Sequence, residues 1–377
     1  MAQRQWRSDD TDPWKEAFGD AAVDVIKTTN ETASPANATC TGTASTKALS
    51  LGAASTFANN DIVLIHQTQK ATGAGVWELN RIVSGAGTTS LIMKYDLMNT
   101  YAANAQIVGA IMAKNYTINT GVTVTLPAWD GAKGGIYFVI AKNAISVVGT
   151  INAAGLVGST GGAVVAGGAG IGFRGGASQT GYADSGEGTP RVGANELDAN
   201  GNGGAGSSGW QGHAAGGGNG TAGANGPSNP GGTPQGGLAV GNAGLTIMDL
   251  GGGGGAAAGG TTHGSGGGGG GIVVLIGKII TITGAINLAG GAGIDTEFDG
   301  GGGAGGSCLL KAQEMDLGTN LITALGGEGH TAGDGGVGRI HADYSKTLSG
   351  TTSPSLDYTL DVTIKAGGSA PRVVNFN

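Results

Sequence analysis

The chain has 377 residues, of which 81 are glycine, aromatic residues make up 5%, charged residues 12%, and the formal net charge is -7. So few charges exclude the highly charged kind of disorder, and glycine without a Gly-X-Y period excludes collagen. Scattered Lys and Arg supply no basic stripe for nucleic acid, and no apolar run reaches the ~18 residues that a membrane-spanning helix needs.

Residues 1–29 are read as a docking segment. They carry Trp6-Arg7, Asp9-Asp10 and Trp14-Lys15-Glu16, and Trp and Arg are enriched at protein interfaces. Trp6, Arg7 and Trp14 are the candidate docking residues for a partner protein, against a plain strand or cap. The segment is polar and lacks an apolar h-region, so a secretory signal is not expected.

Residues 30–128 have ordinary composition and read as a small β-sandwich or barrel-like domain. Short β-rich runs recur at 61–67, 76–83, 90–95, 105–113 and 122–126. Gly73-Ala-Gly75, Gly85-Ala-Gly87 and Asn119-Thr-Gly121 punctuate them, as turns require. Cys40 in this region and distant Cys308 are read as buried free thiols, with a disulfide as the alternative.

Residues 129–345 form a glycine-rich body organised by one motif. Gly134–Gly155 reads GGIYFVIAKNAISVVGTINAAG, and Gly270–Gly290 reads GGIVVLIGKIITITGAINLAG. A degenerate copy occupies Gly305–Gly327, and a truncated one begins at Gly336. Spaced β-units of this kind predict stacked rungs of a β-solenoid. Between the first two copies, residues 156–269 are too long for a structureless loop and too poor in long apolar side chains for an ordinary core. Glycine segments in polyproline-II geometry approach as closely as backbones do in collagen, so polyglycine-II-like insertions held by interchain-type backbone bonds are expected. Residues 346–377 include the alternating run LDYTLDVTIK, read as a C-terminal strand or cap. The fold class is therefore all-β.

Large side chains stranded among glycines are the candidate receptor-binding residues: Phe173, Arg174, Tyr182, Arg191, Trp210 and His213. Aromatic and Arg side chains are common recognition anchors; the competing reading has Phe173 and Trp210 plug gaps between layers. Catalytic chemistry is not expected: Asp184, Glu187, Glu196 and Asp198 lie in loop-like sequence with nothing to fix the separation a glycanase pair needs. Gly168–Gly172 lacks the helix of a dinucleotide site. Gly290–Asp295 matches the start of a calcium β-roll repeat, with Asp299 and Asp334 nearby, but has no tandem copy. The histidines are not at zinc spacing; His213 and His263 are expected to be exposed, and His66 and His341 to be plain sheet residues. No cofactor or metal is expected.

The Trp-rich start, the small β-region, the repeated GGI-β-Lys-β-Gly-x-Ile-Asn motif and the tracts Gly251–Gly255, Gly266–Gly271 and Gly300–Gly303 resemble glycine-rich phage virion proteins. The tracts resemble those of polyglycine-rich tail-fibre adhesins, over roughly Gly134–Tyr344. The β-rich Asn30–Pro127 region and the embedding of the tracts in β-rungs depart from the adhesin pattern. The resemblance implies a tail-fibre or surface adhesin on the virion surface, assembled in the host cytoplasm, with a host surface receptor or glycan as partner and possible homo-oligomers. The alternative is a filament subunit or capsid decoration protein without receptor binding. An ice-binding surface would need regular Thr rows, and Thr261-Thr262 is too little.

Overall fold

The computed structural model describes residues 23–54, 56–161, 167–168, 170–178, 183–189, 197–200, 204–208, 211–259, 261–362 and 364. Every regular element among them is a strand. Two short strands open the chain, β1 (Val25–Lys27) and β2 (Glu31–Thr32). Six follow: β3 (Asn37–Gly42), β4 (Ala48–Leu51), β5 (Ile62–Gln67), β6 (Trp77–Ser84), β7 (Ser90–Met93) and β8 (Tyr101–Gly109). They close an antiparallel barrel in the order β3-β4-β7-β6-β5-β8. Its turns fall where the sequence places them: Gly73, Gly75, Gly85 and Gly87 all have positive φ, a region open to glycine without a Cβ penalty.

The motif copies become neighbours in a parallel sheet. After β9 (Ile111–Ala113), β10 (Tyr116–Ile118) and β11 (Thr123–Thr125), the first copy forms β12 (Ile136–Val147) and β13 (Thr150–Asn152). The pair β14 (Thr160–Gly161) and β15 (His263–Gly264) brackets the glycine excursion. The second copy forms β16 (Ile272–Ile282) and β17 (Ala285–Asn287). The degenerate copy is β18 (Ser307–Thr323), the truncated one starts β19 (Arg339–Ser353), and β20 (Asp357–Leu360) follows. Equivalent positions pair in register: Ile136 with Ile272, Ile272 with Ser307, Ser307 with Arg339.

This 12-stranded sheet runs β1-β10-β12-β16-β18 and returns β17-β13-β11-β2, with β19 and β20 beyond β18. It curls, and the two limbs enclose one core that includes Ile145, Val147, Ile151, Ile280, Ile286 and Ile322. A second core lies on the other face, where Ile136, Phe138 and Ile140 of β12 meet Ile62, Leu64 and Trp77 of the barrel. Burial on both faces explains the continuous apolar runs of β12 and β16. Each fully buried Ile or Val contributes roughly 1.5–3 kcal/mol.

The glycine tracts pack differently. Three successive amides, of Gly253, Gly254 and Gly255, donate to Glu187, Gly267 and Ala215 in three different segments, at 2.9, 2.9 and 3.0 Å. Gly301, Gly302 and Gly303 likewise donate to Gly255, Gly333 and Gly291. Every third residue returns to the same neighbour: Gly251 and Gly254 bond Gly270 and Gly267, and Gly267 and Gly270 bond Gly301 and Ala304. The pairing of these tracts therefore repeats every three residues. Side chains have no room: a Cβ on Gly254 would stand 2.0 Å from the Gly301 carbonyl oxygen, and one on Gly301 1.8 Å from that of Ala215.

Three boundaries differ from the sequence reading. The barrel occupies 37–109, and β9, β10 and β11 at 111–125 belong to the curled sheet, as do β1 and β2. The reason is register: short strands such as Tyr116–Ile118 pair in parallel with distant Ile145–Val147, which local pattern does not encode. At the other end, β19 runs past residue 345 to Ser353, and the alternating C-terminal run supplies the edge strand β20. Both cysteines are buried and free. Among the described residues, no helix is long and apolar enough to cross a membrane.

Candidate functional site

The structure withdraws most of the described side chains that the sequence offers as anchors. Phe173 is fully buried and meets Trp129 edge-on, with ring centroids 5.8 Å apart. Arg174 is held by Glu187: Nε donates to Oε2 at 2.9 Å, Nη2 donates to Oε1, and the Arg174 amide and Trp129 Nε1 also reach Oε2. His213 is mostly covered; its Nδ1 accepts the Asp299 amide at 2.9 Å and its ring lies against Phe298. His263 is fully buried, not exposed. Phe173 thus follows the competing reading, in which it fills a gap between layers, while the Arg174 side chain stays partly exposed; the glycine body was not expected to have a side-chain core. In fact Trp129, Phe173, Leu245, Met248 and Leu250 fill a core between that body, the sheet and the barrel. Tyr182, Arg191, Trp210, Glu196, Trp6, Arg7 and Trp14 lie outside the described residues.

Other tempting constellations are used by the fold. Glu187 is committed to Arg174 and Trp129. The Asp299 carboxylate accepts the amides of Thr296 and Thr331, and Asp334 accepts that of Gly329, so the calcium-like turn is closed by backbone donors. Among the described residues, no group of three or more His, Cys, Asp or Glu side chains is placed to hold a metal ion. Gly168 and Gly172 donate to Gly266 and Gly269, so glycine tract fills the space that a dinucleotide phosphate would need.

At the barrel–body junction the barrel is tied by polar groups as well as by the apolar core. His66 Nε2 bonds the Met248 carbonyl at 2.7 Å, Trp77 Nε1 that of Leu245 at 2.9 Å, and Gln106 exchanges bonds with the backbone of Gly134. Asp249 is buried here between Gly75 and Gly241. Burial pushes its carboxyl up to about 7 against the pull of Arg339, while the Arg339 Nε donates to the Val240 carbonyl. Burial drives the His66 imidazole down to about 4, so it stands neutral. Perturbed groups of this kind mark functional sites or structural networks; both are buried in protein, and His66 ties the junction through the Met248 carbonyl, whereas Asp249 Oδ1 has no hydrogen-bond partner among the described residues.

The open chemistry lies at the last strands of the sheet. Along β19 the side chains alternate: Ile340 and Ala342 enter the inner core, and His341 and Asp343 point to the opposite face. There Lys311 pairs with Asp343, Asp343 Oδ1 lies 3.0 Å from His341 Nε2, and His341 Nδ1 lies 2.7 Å from Asp357 Oδ2 on β20. Burial works against the charge on Asp343, but the hydrogen bond from His341 and the Lys311 ammonium outweigh it and hold the carboxyl below its ordinary value. This chain of charges clamps β20 to β19. Asp343 lies two residues from His341 on the same strand, but Asp357 and Lys311, which complete the chain, come from neighbouring strands that the local sequence does not place.

On the inner face of the same two strands a groove of about 370 Å³ opens. Tyr344 and Tyr358 form its aromatic walls, with centroids 6.2 Å apart and planes at 61°. Leu348 and Leu356 lie between them, and Thr351 and Ser355 add hydroxyls at the rim. Tyr358 is 60% exposed. Among the described residues, the groove lining contains no charged side chain. A groove with two aromatic walls and hydroxyls at its rim is suited to binding.

No family model matches the chain, and no curated protein matches it in sequence. Among solved structures, the tailspike protein gp49 from Pseudomonas phage LKA1 is similar at 9% identity, over 88% of this chain and 46% of that one, with a TM-score of 0.20. The chain thus spans less than half the length of that tailspike, and a likeness so slight decides nothing about fold or activity.

Proposed function

We propose that this protein is a structural and binding component of a phage virion, a tail-fibre or surface adhesin that displays a receptor-binding surface on an inflexible stem. In this reading the curled parallel sheet is a β-solenoid and the glycine tracts are polyglycine-II helices. The three-way hydrogen bonding of successive glycine amides carries the reading. A helix with three residues per turn and no internal bonds must send successive amides to different neighbours, and the bonds at Gly253–Gly255 and Gly301–Gly303 do so. A body of this kind resists deformation through backbone pairing, which suits a projecting stem. It acts by binding, not by catalysis: receptor contacts come from the groove at the last strands and from Tyr182, Arg191 and Trp210, while Trp6, Arg7 and Trp14 dock the protein to other virion proteins.

The experiment is to label the purified full chain fluorescently and incubate it with cells of the bacterium that hosts the encoding genome and with unrelated bacteria. Saturable binding to the host alone is expected. A protein that ignores cells but forms filaments in the electron microscope sinks the adhesin reading in favour of the filament subunit. That second reading draws on the edge strand β20, whose residues are all exposed and which, among the described residues, pairs with no strand other than β19, leaving an edge of the kind that recruits another strand.

A further inference from the structure

We propose that the groove between β19 and β20 is a binding site for a neutral saccharide, an inference that rests on the adhesin reading and assigns it a contact surface. Four features of the groove lead to this class of ligand. Its size, about 370 Å³, falls at the lower end of the ~300–1,000 Å³ of small-molecule sites and suits one or two sugar rings. Its walls are two tyrosine rings at 61° to one another, and Tyr358 is largely exposed. An aromatic face of this kind receives the apolar C–H side of a pyranose, and its hydroxyl stays at the wet edge.

The lining is also polar in a particular way. Five of its eight residues carry hydroxyls, namely Tyr344, Thr351, Thr352, Ser355 and Tyr358. Thr352 spends its hydroxyl on the Pro354 carbonyl at 2.7 Å; the exposed Thr351 and Ser355 remain at the rim. A purely apolar cap, or the core face of a second copy, would bury these hydroxyls unpaired at a cost; a sugar pairs them. Among the described residues the lining is uncharged, which selects against acidic sugars, whose carboxylates would lose water without gaining a counter-ion there.

Lastly, the wall is held in place before any ligand arrives. Asp357, next to Tyr358, is fixed through His341 to Asp343 and Lys311 on the reverse face of the sheet. A ligand therefore does not have to order the strand, which favours binding by a small interface.

The test applies the full-length chain to a printed array of neutral and acidic oligosaccharides, followed by calorimetric titration of the strongest ligand. Neutral glycans are expected to bind. Tyr358→Ala is expected to weaken the best of them about tenfold or more, while Tyr358→Trp keeps the affinity. Tyr358 is largely exposed, so the melting temperature of Tyr358→Ala should match the parent. Asp357→Asn, which loosens the clamp without touching the groove, should weaken binding less than Tyr358→Ala. The proposal is overturned by binding of acidic glycans alone, by no glycan binding, by glycan binding indifferent to Tyr358→Ala, or by a dimer that covers Tyr358 and dissociates in that variant. Host-cell adhesion measured alongside separates the two failures. Adhesion that survives Tyr358→Ala leaves the adhesin reading standing without this groove. Sugar binding through Tyr358 without adhesion leaves the groove standing without the adhesin.

Discussion

At the scale of single residues, the barrel–body junction makes stability depend on pH in two opposing directions. His66 is neutral when folded, with its imidazole lowered to about 4. Below its ordinary value near 6.5 the unfolded chain takes up a proton that the folded chain refuses, so stability is lost as pH falls from ~6.5 toward ~4. Asp249 behaves in the reverse sense. Its carboxyl is raised to about 7, the folded chain keeps a proton the unfolded chain has lost, and the stability present below ~4 fades as pH rises through 7. Asp249→Asn removes that alkaline penalty. Relative to the parent, the variant should gain on the order of 2–4 kcal/mol between pH 4 and pH 8, read from urea unfolding at both values; a constant difference would mean that Asp249 ionises freely in the folded protein. Neither residue is legible in the sequence as a junction group. His66 stands in the β-run IVLIHQ, and its partner Met248 is 182 residues away. The turn glycines were legible, because a positive φ in a tight turn leaves a local compositional mark.

At the scale of elements, the motif foretold its own pairing. Because GGI-β-Lys-β-Gly-x-Ile-Asn recurs, Ile151 of one copy lies beside Ile286 of the next, and Asn152 beside Asn287. The strands without a second glycine flank, β9, β10 and β11, carried no such mark and read as part of the barrel region. The glycine tracts make a sharper demand than any strand. Gly254→Ala puts a methyl 2.0 Å from the Gly301 carbonyl oxygen, so backbone must move, at a cost of about 3 kcal/mol or more, at the upper end of overpacking. Gly73→Ala meets nothing within 4 Å and pays for its φ of 80° alone, about 1–2 kcal/mol. Thermal melts should therefore rank Gly254→Ala well below Gly73→Ala. Equal melting would mean that the tract tolerates a side chain, and the close backbone approach would lose its meaning.

At the scale of the whole molecule, two kinds of interior meet: side-chain cores in the barrel and curled sheet, and a backbone lattice between them. The lattice should protect its amides as well as the strands do. In hydrogen exchange followed by mass spectrometry, peptides covering Gly251–Gly255 and Gly300–Gly303 should exchange as slowly as those covering β12 and β16; exchange complete within seconds would show a loose loop. That the excursion would not be a structureless loop was expected from its length; that its described residues would carry Phe173 and Met248 into a shared core was not, since both look isolated until the barrel is placed against them. The two interiors also respond differently to temperature. Unfolding the cores exposes apolar surface and raises heat capacity, whereas unfolding the lattice exposes peptide groups and lowers it. The terms partly cancel, so the heat-capacity increment per residue falls below the usual ~12–15 cal/mol/K and the stability curve flattens. A body packed by peptide groups therefore gives up little of its strength on cooling, when hydrophobic cores weaken.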